Sequence, residues 1–386
     1  MILRRLRLKN WRNFRKADIV LVGTNYVLGP NASGKSNLLD SLRFLRDVGK
    51  PKGGGLQQAL ELRGGVSKVR CLHHRNDNEV EIEIGLSESL DDDEIAWTYR
   101  LAFKAETRGK RRAIVTAEEV VRGTDVVLSR PDANDVEDDV LLTETHLEQS
   151  LANRGFRPIA DFVSSIRYLH LVPQLLKYSD QIGGSLIETD PFGQSFLDGI
   201  ARVAEKTRAA RLRRIGKVLS VAVPQLQELS FERDEESGRP HLEARYDHWR
   251  PNAGRQREDE FSDGTLRLIG LLWLLQEGSG LLLLEEPELS LDEGVVRQLP
   301  LLFDRILQKA GRRGRQLLIS THSEALLDNE GIDARGVSLI ETTPEGSKVR
   351  SVNDEESMQL EAGLSVAQAV LPSVHPERVG QLPLQF

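Results

Sequence analysis

Two polar constellations at opposite ends of the chain belong to the chemistry of one ligand. The first, Gly29-Pro30-Asn31-Ala32-Ser33-Gly34-Lys35-Ser36, fits G-x-x-x-x-G-K-[ST]. At that spacing backbone N–H groups wrap a polyphosphate, Lys35 reaches the outer phosphates and the Ser36 hydroxyl holds Mg2+. The second is an apolar run ending in acid, Leu281-Leu282-Leu283-Leu284-Glu285-Glu286. Small P-loop kinases and GTPases keep loop and acidic strand much closer in sequence. Here a long stretch intervenes, and Phe261-Ser262-Asp263-Gly264-Thr265 stands just before the acidic strand. The arrangement points to a split ATPase head rather than a compact kinase.

The surrounding elements read as such a site requires. Residues 2–9 alternate apolar and basic side chains like a half-buried strand. Residues 19–22 and 26–28 form two more strands, the second leading straight into the phosphate loop. Residues 37–48 place Leu38, Leu39, Leu42 and Leu45 on one helical face. Runs at 80–84, 95–103 and 113–121 alternate like antiparallel strands, with an acidic tip at 91–94 and a basic tip at 108–112. Residues 132–139 read as a solvated acidic loop. Residues 164–172 are β-like, residues 196–221 read as one helix, and a hairpin is expected around Ser237-Gly238. In that helix Arg208, Arg211 and Arg214 recur every three residues; they either neutralise a polyanion's phosphates or form a solvated face. A last buried-strand pattern, Leu317-Leu318-Ile319, ends in Ser320-Thr321-His322.

Composition sets the frame. With 386 residues, 39% of them hydrophobic and 29% charged, the chain can bury a substantial core and is neither disordered nor fibrous in type. One cysteine, Cys71, excludes an internal disulfide framework and fits a reducing cytoplasm. The start lacks the apolar core of a signal peptide and no run approaches membrane-spanning length, so a cytoplasmic protein without a membrane partner is expected. A net charge of −7 confines any nucleic-acid contact to local patches. His73-His74 and Cys71 form no convincing metal set and read as structural.

Taken in order, the P-loop, Gln174, Ser262-Asp263-Gly264, Glu285-Glu286 and Ser320-Thr321-His322 resemble the ABC-type ATPase heads of the SMC/RecF/OLD superfamily, over nearly the whole chain. The opening Leu8-Lys9-Asn10-Trp11-Arg12-Asn13-Phe14 is similar to the K-N-F-R-x-F element that starts those heads. The resemblance implies an α/β fold, a two-lobed head with mixed and antiparallel sheets around the P-loop plus a helical subdomain. Three segments are expected: 1–175 with the P-loop, 176–260 with the basic helix and hairpin, and 261–386 with signature, acidic strand and switch histidine.

ATP and Mg2+ are the implied cofactors. Gly29, Asn31, Ala32, Ser33, Gly34, Lys35 and Ser36 would cradle the nucleotide, joined by Arg12. Ser36, Gln174 and Glu285 would serve the metal and its waters. Glu286 would orient the attacking water, with His322 on the γ-phosphate and Lys35 neutralising charge. Ser262 and Gly264 would reach the γ-phosphate on a second protomer's P-loop, and Asp292, in Ser290-Leu291-Asp292, would let one head sense the other. The implied assembly is an ATP-dependent homodimer.

Some positions depart from that pattern. Asp263 is unfavourable near phosphate unless it turns away or caps a helix, and Ser262 or Asp263 also fits an ordinary helix N-cap. Ala32 replaces a common glycine; a positive φ there would cost about 1 kcal/mol or more, so a negative φ is expected. Glu285 is longer than the usual Asp. Adjacent carboxylates on a strand face opposite ways, so an irregularity or the turn at Pro287 must bring Glu285 and Glu286 together. Glu288 is expected on the surface or in a loop.

Three functions fit. The favoured one is an ATPase whose dimerisation senses or holds DNA or RNA, or controls a separate effector protein, as in DNA repair or antiviral defence. An OLD-like nuclease is second, but little chain follows His322 and Asp354-Glu355-Glu356 lacks a Glu plus Asp-x-Asp pattern. A transporter's ATPase subunit is third, disfavoured by the N-terminal element and the altered signature.

Overall fold

A computed structural model describes residues 1–50, 52–73, 77–106, 111–177, 196–248, 250, 254–309, 315–329 and 331–374. The chain divides into two compact units: Met1–Arg167, Ser279–Leu283 and Leu307–Phe386 in the first, Tyr168–Gly278 and Leu284–Ile306 in the second. His74 and residues 108–110 of the basic tip lie outside the described residues.

The strands in chain order are β1 (Ile2–Trp11), β2 (Phe14–Val20), β3 (Thr24–Leu28), β4 (Val80–Ser87), β5 (Trp97–Ala105), β6 (Ala113–Arg122), β7 (Asp125–Arg130) and β8 (Arg167–Leu169). Then follow β9 (Leu226–Arg233), β10 (Pro240–Tyr246), β11 (Arg255–Arg257), β12 (Gly280–Glu285), β13 (Arg315–Thr321), β14 (Val337–Thr343) and β15 (Gly346–Ser351). The first unit is built on one sheet ordered β7-β6-β5-β4-β1-β2-β15-β14-β3-β13-β12-β8. The chain passes from one unit to the other within β8 and β12. From β7 to β2 the ladder is antiparallel, which the alternating sequences of β4, β5 and β6 favour. Beyond it β3 runs parallel to both β13 and β14.

The helix Lys35–Val48 follows the phosphate loop and buries Leu38, Leu39, Leu42, Phe44 and Leu45 completely. Each such side chain stabilises the fold by about 1.5–3 kcal/mol. Its Phe44 ring lies 5.3 Å from Trp11 of β1 and 5.5 Å from Phe103 of β5, so one aromatic row fixes this helix to two strands.

The second unit holds the antiparallel β11-β10-β9 sheet, with Gly238 at φ 70 in the expected hairpin turn. It also contains the helices Glu205–Ala222, Asp263–Leu275 and, in part, Glu293–Lys309. Among the described residues no helix is long and apolar enough to cross a membrane.

Three local expectations fail. Residues 164–172 form only the short β8, because the helix Arg157–Ser165, with Pro158 in its first turn, takes the start of that run. The segment 196–221 is two helices, Phe196–Arg202 and Glu205–Ala222; Arg208 donates to the carbonyls of Ala201 and Val203, satisfying acceptors at the break. The acidic stretch 132–139 is not wholly solvated. Asp135 is 3% exposed and binds Arg130, while Asp132 caps the helix Ala133–Glu137.

Candidate nucleotide-binding site

The phosphate loop lies between Leu28, the last residue of β3, and Lys35, the first of the helix. In the parallel pairing of β3 with β13, Leu28 stands opposite Thr321. Gly29 and His322 therefore leave the sheet at the same end, and both belong to the first unit. His322 is exposed, whereas Ser320 and Thr321 before it are buried.

Ala32 has φ 65, contrary to the negative value expected from its Cβ. Successive N–H groups converge on an anion only where right- and left-handed residues alternate, and the loop's shape overrides the steric cost. Gly34 follows at φ 111 and tolerates no side chain, since a Cβ there would lie 2.1 Å from Asn13 Nδ2.

Asn13, in the turn between β1 and β2, donates Nδ2 to the Ser33 carbonyl at 2.6 Å and accepts from Asn37 at 2.9 Å. Ser347 Oγ donates to the same Ser33 carbonyl at 2.6 Å, and Trp11 Nε1 donates to the Asn37 carbonyl at 2.8 Å. The N-terminal element thus props the loop. Arg12, at φ 53, donates to Asp40 at 3.0 Å and to the Lys68 carbonyl at 3.3 Å. Asp40 also accepts from Arg63. Burial alone would raise the Asp40 carboxyl, but Arg63, Arg12 and Arg43 together hold it below the ordinary range. Sequence reasoning missed Arg63, whose partners Asp40 and Asp47 lie on the helix after the loop.

The remaining predicted residues fall in the second unit. Ser262 caps the helix Asp263–Leu275, its Oγ accepting from Thr265 N at 3.1 Å. Asp263 is turned onto Lys177, 2.8 Å away, and accepts from Gln174 Nε2 at 2.6 Å. A nearby cation and amide thus hold the unexpected acid. Gly264 packs so closely on the backbone that a Cβ would meet the Ser290 carbonyl at 2.4 Å.

β12 ends at Glu285, whose carboxylate accepts from the Tyr168 hydroxyl. Glu286 has φ 45, the irregularity that two neighbouring carboxylates of a strand need to escape opposite faces. Glu288 lies in the turn after Pro287, as expected, but that turn folds it inward and leaves it 7% exposed rather than on the surface. Asp292 Oδ1 accepts from Gly294 N at 2.8 Å, at the start of Glu293–Lys309.

The loop fits a nucleotide triphosphate with its metal. Lys35, 7% exposed, folds over the loop to the carbonyls of Gly29 at 2.8 Å and Pro30 at 3.2 Å. Ser33 Oγ is buried with no hydrogen-bond partner, so the loop retains polar capacity. Asn31, Ala32 and Ser36 are exposed. Phosphate oxygens would replace the carbonyls at Lys35, and Ser36 would offer its hydroxyl to Mg2+. Elsewhere, Cys71 is buried, and no group of three or more His, Cys, Asp or Glu able to hold a metal occurs among the described residues. Within 354–356, Glu356 is buried and bound by Arg350 and Ser373.

Sheet order and loop together define a P-loop ATPase head. Residues 25–328 match the family described as "AAA domain, putative AbiEii toxin, Type IV TA system"; the chain belongs to that family and is an ABC-type ATPase head of the SMC/RecF superfamily. It is 35% identical over 91 residues to the DNA replication and repair protein RecF of Clavibacter sepedonicus, covering 23% of this chain and 22% of that one. To the protein of the same name from Yersinia pestis bv. Antiqua (strain Angola) it is 37% identical over 99 residues, covering 24% and 26%. The chain thus spans about a quarter of the length of these curated relatives.

Among solved structures, an SMC head bound to the C-winged helix domain of ScpA superposes with a TM-score of 0.57 at 17% identity, covering 93% of this chain and all of that one. The Smc head with coiled coil and joint from Pyrococcus yayanosii gives 0.50 at 12% identity, covering 93% and 99%. At these identities the likeness is one of fold alone.

Proposed function

We propose that this protein binds and hydrolyses ATP with Mg2+, that two copies close around the nucleotide, and that the cycle holds or senses nucleic acid or controls a separate effector protein. The observation that carries the reading is the pairing of Leu28 with Thr321, which sends the phosphate loop and His322 off one end of the sheet. Mg2+ supplies charge neutralisation at the phosphates. Lys35 leaves its two carbonyls for phosphate oxygens, and Ser36, Gln174 and Glu285 serve the metal and its waters. Glu286 aligns the water that attacks the γ-phosphorus, and His322 holds a γ-phosphate oxygen. Catalysis of this kind is positional and electrostatic.

Ser262 and Gly264, at a helix N-terminus, suit a phosphate presented by a second copy, and Asp292 borders the same Ser290 backbone that Gly264 touches. Functionally, segments 1–175, 176–260 and 261–386 divide nucleotide binding, partner contact and hydrolysis. The short matches to RecF favour DNA as the held polymer, and a cytoplasmic setting follows from this role.

Mixed subunits test the sharing. Ser262→Arg and Lys35→Ala subunits, inactive as homodimers, should recover part of the ATPase activity when paired, because one composite site stays intact. Full activity of a Ser262→Arg protein that is monomeric by light scattering would refute the shared site.

A further inference from the structure

The helix Asp263–Leu275 carries a single cation, Arg267, which is 7% exposed. Its Nε is buried without a hydrogen-bond partner, and among the described residues the guanidinium makes no hydrogen bond or ion pair. A buried structural arginine of this protein looks different. Arg130, 3% exposed, binds Glu118, Asp135 and the carbonyls of Leu141 and Glu144. An unpaired buried cation opposes folding, and a departure of that kind is characteristic of functional positions.

The fold shows what Arg267 faces. Gly264 lies three residues earlier and so shares its side of the helix, and Gly264 rests on the Ser290 carbonyl. Ser290 closes the turn that begins at Glu286, in which Leu289 N donates to the Glu286 carbonyl and Leu291 N to that of Glu288. Glu286 and Ser290 both have positive φ, 45 and 62, so the turn is tightly wound. Burial lowers the Arg267 pKa, and Asp263, Glu288 and Glu286 oppose that shift. Asp263 is held by Lys177 and Gln174.

We propose that Arg267 is a positioning residue for Glu286, linking the helix capped by Ser262 to the acidic turn and hydrogen-bonding to that turn when Ser262 and Gly264 engage a γ-phosphate. The inference rests on the hydrolytic role proposed for Glu286. It goes further by naming the group that passes signature engagement to the carboxylate. The guanidinium has the donors for a bidentate carboxylate contact.

The test compares Arg267→Met, Arg267→Lys and Glu286→Gln in the full-length protein. Readouts are binding of a fluorescent ATP analogue, kcat and KM for ATP, and thermal midpoint. Arg267→Met should bind the analogue like wild type and melt at or above the wild-type midpoint. Its kcat should fall about tenfold or more. Its KM for ATP should stay near the wild-type value, because the phosphate loop is untouched. Arg267→Lys, which keeps the charge without the fork, should recover part of the rate.

A folded Arg267→Met with wild-type kcat would overturn the proposal. So would an Arg267→Met that fails to fold beside an Arg267→Lys with wild-type kcat, since the residue would then be structural. If Glu286→Gln itself turns over like wild type, the hydrolytic reading fails whatever Arg267 does. If Glu286→Gln is inactive while Arg267→Met behaves as wild type, only the role of Arg267 fails.

Discussion

Asn13 reaches from the turn after β1 to hold the Ser33 carbonyl at 2.6 Å, and it occupies the space that a Cβ on Gly34 would need. The phosphate loop is thus shaped partly by residues far from it in sequence. Asn13→Ala should leave Lys35 and Ser36 in place but let the loop relax. The expected loss is about 1 kcal/mol, five- to tenfold in ATP affinity, with little change in thermal midpoint. Isothermal titration with ATP checks it. Unchanged affinity would mean that the loop holds its shape alone.

Glu148 gives a pH signature of stability. Burial pushes its carboxyl up to about 7, although N–H donors from Thr145 and Leu56 favour the charged form. The folded protein therefore retains a proton that the unfolded chain, at the ordinary 4.5, has released. The group's contribution to stability is present below pH 4.5 and is lost as pH rises from 4.5 through about 7. The loss should be on the order of 1–3 kcal/mol. Urea titrations at pH 5 and pH 8 should show it, and Glu148→Gln should flatten the difference. Equal pH dependence in both proteins would remove Glu148 as the source.

The basic helix separates into two sets of arginines. Arg208 lies 4.0 Å from the Phe231 ring centroid, and Arg211 lies over Trp273 beside Glu277, whereas Arg213, Arg214 and Lys217 are exposed. Arg208→Glu should therefore cost about 1–3 kcal/mol of stability. Reversing Arg213, Arg214 and Lys217 together should change stability little. If this face meets phosphate backbone, that triple change should lower the log–log salt slope by about 0.7–0.9 per lost contact. A triple mutant with wild-type DNA and RNA binding at several salt concentrations would favour a protein partner.

Much of this was legible in the sequence, for local reasons. The strand, loop and helix around Lys35 are contiguous, and the β-runs at 80–121 declare themselves by alternation. What sequence missed depends on distant partners. The sign of φ at Ala32 is set by the loop as a whole, not by the methyl group. The burial of Glu288 follows from a turn wound through a left-handed Glu286. Asp263 looked wrong beside a phosphate because Lys177 and Gln174, almost ninety residues earlier, neutralise and anchor it. The stripe Arg208, Arg211, Arg214 had correct helical spacing, yet Phe231, Trp273 and Glu277 engage two of its members. The helix break at 203–204 carries neither Gly nor Pro to announce it.

Single-turnover and steady-state ATP hydrolysis by Glu286→Gln tests the central claim most directly. The substitution keeps the side chain's shape and removes the carboxylate proposed to orient water. ATP should bind with near wild-type affinity, the two-copy assembly should persist in ATP, and turnover should fall well over tenfold, about 1.4 kcal/mol or more in the barrier. Lys35→Ala beside it should weaken ATP binding itself. Hydrolysis by Glu286→Gln at the wild-type rate would contradict the account.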